Sequence, residues 1–321
     1  MNVQKEIKKF EQSHSEFKAT KLTFKGVEGF DVYNCSQPFM WEDKAYIFGR
    51  IEHHDEWMRS WIRLFTKTGQ DEWTLVPDST LYQLEDPYLA IIKDELVFGG
   101  THVRVKQSEL DTYYGYFYKG TEIDNLYYFT TGPDYMKDIR LVELASGKIG
   151  VFSRPRSQEI LKQHGSESMI GFTIIDSIQD LNDEVIEHAP LIEGLFSDGE
   201  WGGCNQAFLL DSGKIGVLGH VSYQDETSEQ TVYANMSFVF DPETRDVADY
   251  KIIATRASYP AGPAKKPHLQ QVAFTSGMVD LKDGTAELYS GIGDCEEGKV
   301  IIDYPFKDYG KMVQNQYNIY G

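Results

Sequence analysis

The sequence predicts an all-β fold arranged as a five-bladed β-propeller, and three observations carry that reading. A hairpin of two apolar runs around a polar turn recurs five times along the 321 residues. The centres of the second runs, Ile47, Val97, Val151, Val217 and Leu288, follow one another at intervals of 50, 54, 66 and 71 residues. The 20 Tyr and 18 Phe favour strands over helices, and a 41 % hydrophobic content supports a full core.

Residues 1–20 read as an N-terminal extension, with a short helix running through Lys18. Residues 21–321 read as a single propeller with no linker or low-complexity break. The stretch KLTFKGVEGFDVY is expected to supply a strand that closes the ring against GKVIIDYPF near the C-terminus. The first hairpin, SQPFMWEDKAYIFGRIE, turns near Asp43. The second, LYQLEDPYLAIIKDELVFGGTHV, turns at Lys93-Asp94-Glu95. KDIRLVELASGKIGVFSRP and NQAFLLDSGKIGVLGHV turn at Ser146-Gly147 and Ser212-Gly213 and share Ser-Gly-Lys-Ile-Gly-Val. The fifth, QVAFTSGMVDLKDGTAELYSGIGD, turns at Asp283-Gly284. Between them lie YYGYFYKG, NLYYFTTG, MIGFTIID and YANMSFVFD, which bring each unit to about four strands. A β-sandwich is the competing arrangement.

In a hairpin the start of the first strand lies beside the end of the second. Five such mouths around one axis would open on a common funnel. Counting outwards from each turn pairs Ser36 with Arg50, Asp86 with His102, Ile139 with Arg154 and Gln206 with His220. Asp294 falls just past the fifth hairpin, and Asn34, Lys137, Asp138, Asn205, His268 and Gln270 flank the same positions. Each has an ordinary explanation. Asp86 before Pro87 can start a turn, Arg50 and Arg154 can form rim ion pairs, and His220 can be a satisfied, partly buried histidine. Their recurrence at one end points to a pocket for a polar ligand.

Charge and motif content narrow the chemistry. The formal net charge of -19, from 31 basic and 50 acidic residues, opposes nucleic acid and anionic membranes as partners. There is no apolar run long enough to span a bilayer and no apolar signal core at the start, so a cytoplasmic location is expected. Cys35, Cys204 and Cys295 have no metal or disulfide spacing. His53-His54 are adjacent and would point to opposite faces of a strand, so no metal and no cofactor is expected. TKTGQDEW, Thr66 to Trp73, reads as a structural blade turn.

LEDPYLAIIKDELVFGGT resembles the Glu-Asp-Pro motif of the β-mannoside phosphorylases, the family-130 glycoside hydrolases. MKDIRLVELASGKIGVFSRP is similar to their Lys-Asp…His-Arg-Pro segment, GKIGVLGHVSY to their strand ending in His, and LYSGIGDCEEGKVIIDYPF to their Tyr-Gly-x-x-Asp segment. The whole chain is closer to a neighbouring family of unknown-function bacterial proteins, which includes the parasite mannosyltransferase/phosphorylases of β-1,2-mannan storage. The resemblance implies that Asp86 is the catalytic acid/base, with the proton relayed through a sugar hydroxyl. It implies that Lys137, Arg154 and His220 surround phosphate, and that Asn34, Arg50, Asp138, Asn205 and Asp294 contact sugar. Two positions depart from the phosphorylase pattern: Tyr88 stands where Arg follows Asp-Pro, and Ser153 where His precedes Arg-Pro.

The chemistry is coherent on its own terms. Cleaving a glycosidic bond needs a proton donor to the leaving oxygen. An inverting hydrolase adds a second carboxylate to activate water, whereas phosphate is already a nucleophile and needs cations to gather it. The leading expectation is an inverting phosphorylase or mannosyltransferase of β-mannosides. Its small-molecule partners are an oligosaccharide and phosphate, or a sugar-phosphate or nucleotide-sugar donor. A water-using glycosidase, with Glu85 or Asp138 as base, and a non-catalytic sugar-binding protein are the alternatives.

Overall fold

The computed structural model describes residues 2–13 and 16–320. It is all-β apart from short helices, and its strands form four sheets of eight, four, three and six strands, along which five antiparallel hairpin groups can be followed; the fourth and fifth groups share the eight-stranded sheet through a short parallel pairing, Val232↔Gln271 and Tyr233↔Val272. In the first, Asp31–Tyr33 and Phe39–Trp41 both pair with Lys44–Glu52, followed outwards by Trp61–Lys67 and Glu72–Leu75. The second runs Glu85–Ile92, Glu95–Lys106, Glu109–Gly120 and Tyr127–Thr131. The third has only three strands, Arg140–Glu143, Ile149–Ser153 and Gly171–Ile175. This corrects the expectation of four: the next stretch carries the short helix Asp183–Glu187 instead. The fourth comprises Glu200–Leu209, Ile215–Asp225, Gln230–Phe240 and Val247–Ala254. The fifth comprises Gln271–Asp280, Thr285–Ile292 and Glu296–Asp303.

The turn chemistry explains why the hairpins form where they do. Glu42 and Asp43, Lys93 and Asp94, Gly147, Gly213, and Lys282 with Gly284 all have positive φ. Tight hairpin turns demand that conformation, and Gly, Asp and Asn adopt it most easily. The chain start closes on the chain end. Ala19–Lys21 pairs antiparallel with Glu296–Asp303 through Ala19↔Val300 and Lys21↔Gly298, two residues earlier than the expected closing strand began. Thr23–Lys25 then crosses to pair in parallel with Glu72–Leu75 of the first group. The first and fifth groups are thereby stitched together.

The N-terminal helix spans Val3–Ser13 and ends before Lys18; His14 and Ser15 lie outside the described residues. It buries Val3 and Ile7 against a cluster holding Phe152, Phe172, Val217 and Phe238. The Val3 peptide N–H donates to Glu200 Oε1 at 2.6 Å.

Neighbouring groups meet largely through their first strands, with Arg140–Glu143 lying against both Glu85–Ile92 and Glu200–Leu209, while second-strand side chains of four groups share an apolar core. Phe48 and Phe98, from the first and second groups, are fully buried with ring centroids 4.4 Å apart. Leu218 and Leu288 from the fourth and fifth groups join the same core. Each such side chain contributes about 1.5–3 kcal/mol on burial. The ring of apolar contacts holds the mouths of the hairpins at one end of the molecule.

Candidate functional site

In three of the five groups the ladder between the first and second strands is interrupted. In the second group it shifts between Glu85 and Tyr88, in the fourth between Cys204 and Gln206, and in the fifth between Thr275 and Gly277. The residues at these breaks are Asp86 with Pro87, Asn205, and Ser276. Asn34 follows Asp31–Tyr33 in the first group and Asp138 precedes Arg140 in the third. Asn34, Asp86 and Asp138 have φ of 47°, 49° and 57°. A bulge re-aims the side chain that it carries, and Asn and Asp tolerate the left-handed region better than other side chains. A following proline favours extended backbone, yet Asp86 before Pro87 is held left-handed, a strain of order 1–3 kcal/mol.

The observed registers also correct the sequence-derived pairings. Arg50 lies opposite Tyr33 rather than Ser36, and His220 opposite Gly203 rather than Gln206. Arg154 is ion-paired with Asp138 at 2.6 Å rather than aligned with Ile139. His102 pairs across to Tyr114 and its ring rests near Tyr114 and Tyr116, away from Asp86. The ladders are already offset from that count next to the turns, as the unbroken third ladder shows, and the breaks add a further residue in the second and fourth groups.

Asp86 is 3 % exposed and sits at the centre of the site. Its Oδ1 accepts from Asn34 Nδ2 at 2.9 Å and from Arg50 Nη1 at 2.8 Å. Lys137 Nζ stands 3.9 Å from its Oδ2. Arg50 is fixed by three further contacts: Nε donates to Ser60 Oγ at 2.7 Å, Nη2 faces Glu85 Oε1 at 3.1 Å, and the guanidinium lies 4.6 Å from the centre of the Tyr33 ring. Burial pushes the Asp86 carboxyl up, but Arg50, Lys137 and the Asn34 hydrogen bond outweigh it, and the net direction is down. Burial raises Glu85 and Asp294. Three neighbouring carboxyls thus have different protonation tendencies, the pattern by which acid and base roles separate.

A cavity of about 370 Å³ opens over this group. Asn34, Arg50, Asp86, Lys137, Arg154 and Asp294 all line it, and Glu85 and His268 join them. Three other expected site residues stand behind the wall. Asp138 is fully engaged: Oδ2 takes Arg154 Nη1, and Oδ1 takes Arg140 Nη2 at 3.2 Å. Asn205 Oδ1 faces His220 Nδ1 at 2.7 Å. The His220 ring is buried, stacked on Tyr233 with centroids 5.1 Å apart. Burial and the nearby Arg154, Lys137 and Arg140 charges hold His220 well below its ordinary pKa, so it is neutral. These three residues shape the cations instead of lining the cavity.

Arg154 Nε donates to Gly202 O at 2.8 Å and to Ser168 Oγ at 3.2 Å, and Nη1 is held by Asp138. Its fork is therefore locked in place. Lys137 Nζ makes no hydrogen bond among the described residues. Asn34 Oδ1, Asn205 Nδ2 and His220 Nε2 are buried and likewise lack hydrogen-bond partners. Buried polar atoms are normally satisfied, so this end of the molecule has unused hydrogen-bonding capacity. No group of three or more His, Cys, Asp or Glu among the described residues is disposed to hold a metal ion.

The two departures from the phosphorylase pattern are structural here. Tyr88 is buried, donates to Leu141 O at 2.8 Å and lies 4.9 Å beneath the Arg140 guanidinium. Ser153 is buried beside Gly171, where an added Cβ would come within 2.5 Å of its Oγ. Sequence reading missed the rim: Trp57, Met58, Tyr113, Arg156, Thr231 and Tyr233 also line the cavity. Tyr113 opens the aromatic run YYGYFYKG and Arg156 follows Arg154 by two, the only signals available.

Comparison with known proteins fits this geometry. A mannose phosphorylase from Leishmania mexicana, MPT-4, solved in complex with phosphate ion, is 49 % identical with a TM-score of 0.92, over 99 % of this chain and 97 % of that one. The GDP-Man-dependent mannosyltransferase MPT-1 from the same organism is 45 % identical with a TM-score of 0.90, over 98 % and 99 %. The β-1,2-mannobiose phosphorylase of Listeria innocua shares the fold at 14 % identity and a TM-score of 0.60, over 86 % and 91 %. No curated protein matches the sequence. The family described as "Protein of unknown function (DUF1861)" matches residues 8–308, and the chain belongs to that family.

Proposed function

We propose that this protein is an inverting mannosyl phosphorylase of β-mannosides on a single five-bladed propeller spanning residues 21–321. The five strand groups with the Ala19–Lys21 closure support the propeller. The activities named for the two Leishmania relatives support mannosyl transfer. The observation that carries the phosphate reading is Lys137. Its ammonium has no hydrogen-bond acceptor among the described residues, and it shares the cavity with Arg154 and the buried Asp86.

In this reading Arg154 and Lys137 gather the phosphate dianion, and neutral His220 supports it from behind. A phosphate oxygen attacks the anomeric carbon from the face opposite the glycosidic oxygen. The C–O bond breaks, and Asp86 delivers a proton to the leaving oxygen, directly or through a sugar hydroxyl. The products are α-mannose 1-phosphate and a shortened mannoside.

The same cations tune the Asp86 proton. With the anion site empty they hold Asp86 ionised. A bound dianion offsets their field and raises the Asp86 pKa, as an acid for phosphorolysis requires. The reaction uses phosphate and sugar as substrates with no metal or cofactor, and a cytoplasmic setting suits such intermediates.

A water-using glycosidase is the second reading, favoured by Asp294, a cavity carboxyl with no hydrogen bond among the described residues. Synthesis tests the choice. Mannose 1-phosphate and a β-mannoside acceptor should give a longer mannoside and equimolar inorganic phosphate. Free mannose with no longer product would overturn the phosphorylase. Elongation from GDP-mannose alone would move the reading to nucleotide-sugar transfer.

A further inference from the structure

Behind Arg50 lies a second layer of charge that the proposed chemistry does not use. Glu52 is fully buried, and three groups converge on its carboxylate. The Tyr33 hydroxyl donates to Oε2 at 2.7 Å, Lys265 Nζ stands 2.8 Å from the same oxygen, and the Arg59 N–H donates to Oε1 at 3.0 Å. Arg50 Nη2 is 3.7 Å from Oε2. Both cations lie over the Tyr33 ring, Arg50 at 4.6 Å and Lys265 at 5.4 Å from its centre.

Lys265 reaches this layer from the connection between the fourth and fifth groups. Its side chain is 1 % exposed, donates to His53 O at 2.9 Å and faces Asp31 Oδ2 at 3.5 Å, where His54 Nδ1 is the other neighbour at 3.0 Å. Its N–H donates to Gly293 O at 2.8 Å, beside the cavity residue Asp294. Gly293 has φ of 62°, and a Cβ there would fall 2.6 Å from Pro263 O, so the connection is seated closely on the fifth group. Lysine is rarely buried to this extent unless it is paired.

Arg50 stands among three carboxylates. Its guanidinium is 2.8 Å from Asp86, 3.1 Å from Glu85 and 3.7 Å from Glu52. Attraction between charges strengthens where water is excluded, so a Glu52 without Lys265 would compete for Arg50. We propose that Lys265 is a positioning residue: by satisfying Glu52 it leaves Arg50 to hold Asp86. The inference rests on Asp86 as the proton donor and holds whether phosphate or water accepts the sugar. The other charges that act on Asp86 are Lys137, Glu85, Asp138 and Asp294, and none of them contacts Lys265 through a hydrogen bond or ion pair among the described residues.

Lys265→Met keeps the stem and removes the charge. Cleavage of β-mannobiose at saturating phosphate needs protonated Asp86 and is lost on the alkaline side. An Asp86 that has lost Arg50 holds its proton to higher pH. At the pH where wild-type kcat/KM has fallen about tenfold below its plateau, the variant should retain about half of its own plateau. Lys265→Met combined with Glu52→Gln removes both charges and should return the profile to that of the wild type, with melting curves confirming folded protein. A lysine with a structural role alone would lower rate or stability without moving the profile. That result, or a double variant displaced as far as the single one, would overturn the proposal. Lys265→Gln, read the same way, takes the place of Lys265→Met should the latter not fold. Should the wild type turn over no β-mannoside, the activity reading falls and the crystal structure of the variant decides the positioning role. Arg50 should then have turned to Glu52, out of hydrogen-bond distance of Asp86, and an Arg50 still held on Asp86 rejects it.

Discussion

Two buried charge clusters in this molecule use the same ingredients to different ends. At the seam between the first and fifth groups, Lys299 Nζ lies 2.6 Å from Glu287 Oε1 and 2.8 Å from Asp71 Oδ1. Tyr289 and Tyr320 both donate to Glu287 Oε2, at 2.7 and 2.6 Å. This clasp gathers the TKTGQDEW turn, the fifth group and the C-terminal segment onto one cation, and both Glu287 oxygens have protein partners. At the mouth, Asp86, Arg50, Lys137 and Arg154 are as crowded, but among the described residues Lys137 has no hydrogen-bond acceptor and Asn34 Oδ1, Asn205 Nδ2 and His220 Nε2 have no partner. The cavity lies over this second cluster. In the clasp the cation stands within 2.8 Å of two carboxylates, whereas at the mouth the nearest carboxylate paired with Lys137 is 3.9 Å away.

The largest expected effect that separates the two is catalytic. Asp86→Asn keeps the shape and removes the transferable proton, so turnover should drop by about 10²–10⁴ while the protein stays folded. Steady-state rates and a melting curve check both halves. At the clasp the consequence should fall on stability instead. Lys299→Ala leaves two acidic groups without their cation and should cost about 3–5 kcal/mol of unfolding free energy, read by denaturant titration. Activity per folded molecule should change little.

A smaller effect tests the mouth cluster as an anion site. Arg154→Ala should weaken inorganic phosphate binding about 10- to 100-fold, as losing a charge-assisted contact implies. Affinity for a β-mannoside should hardly move. Unchanged phosphate affinity would remove Arg154 from the anion site.

The smallest effect concerns the layer behind the mouth. Glu297 is 1 % exposed, and its Oε2 accepts from the Cys35 N–H at 3.2 Å, bracing the turn that presents Asn34. Burial raises its pKa from the ordinary 4.5 to about 8, despite stabilisation of the charged form by Ser276 and Cys35. The folded chain therefore binds this proton more tightly than the unfolded chain does. Its contribution is fully present below pH 4.5 and is lost as pH rises to about 8, at up to about 1.4 kcal/mol per pH unit. Glu297→Gln should flatten that slope, so the variant gains on the wild type between pH 5 and 8 in melting experiments. Parallel pH profiles of stability would show that Glu297 does not titrate in this window.

The hairpin repeat was legible because its turns need left-handed residues and the sequence puts Gly, Asp or Lys-Asp there. The mouth was legible in outline: Asn34, Arg50, Asp86, Lys137, Arg154 and Asp294 do share one cavity. What failed was register. The ladders run one or more residues away from the counted pairings, and Asn34, Asp86 and Asp138 take left-handed backbone that no count from the turn contains. The signal was present as a spacing of 52 residues from Asn34 to Asp86 and again to Asp138. The rim was not legible, because Trp57, Tyr113 and Thr231 come from separate groups and meet only after folding.

In the proposed reaction phosphate, not water, takes the mannosyl group at Asp86. Phosphorus and proton NMR of the wild type with β-mannobiose tests it most directly, in matched buffers with and without inorganic phosphate. The account predicts that inorganic phosphate is consumed one-for-one as α-mannose 1-phosphate forms, and that no cleavage occurs without it. Mannose released at the same rate in phosphate-free buffer would contradict it.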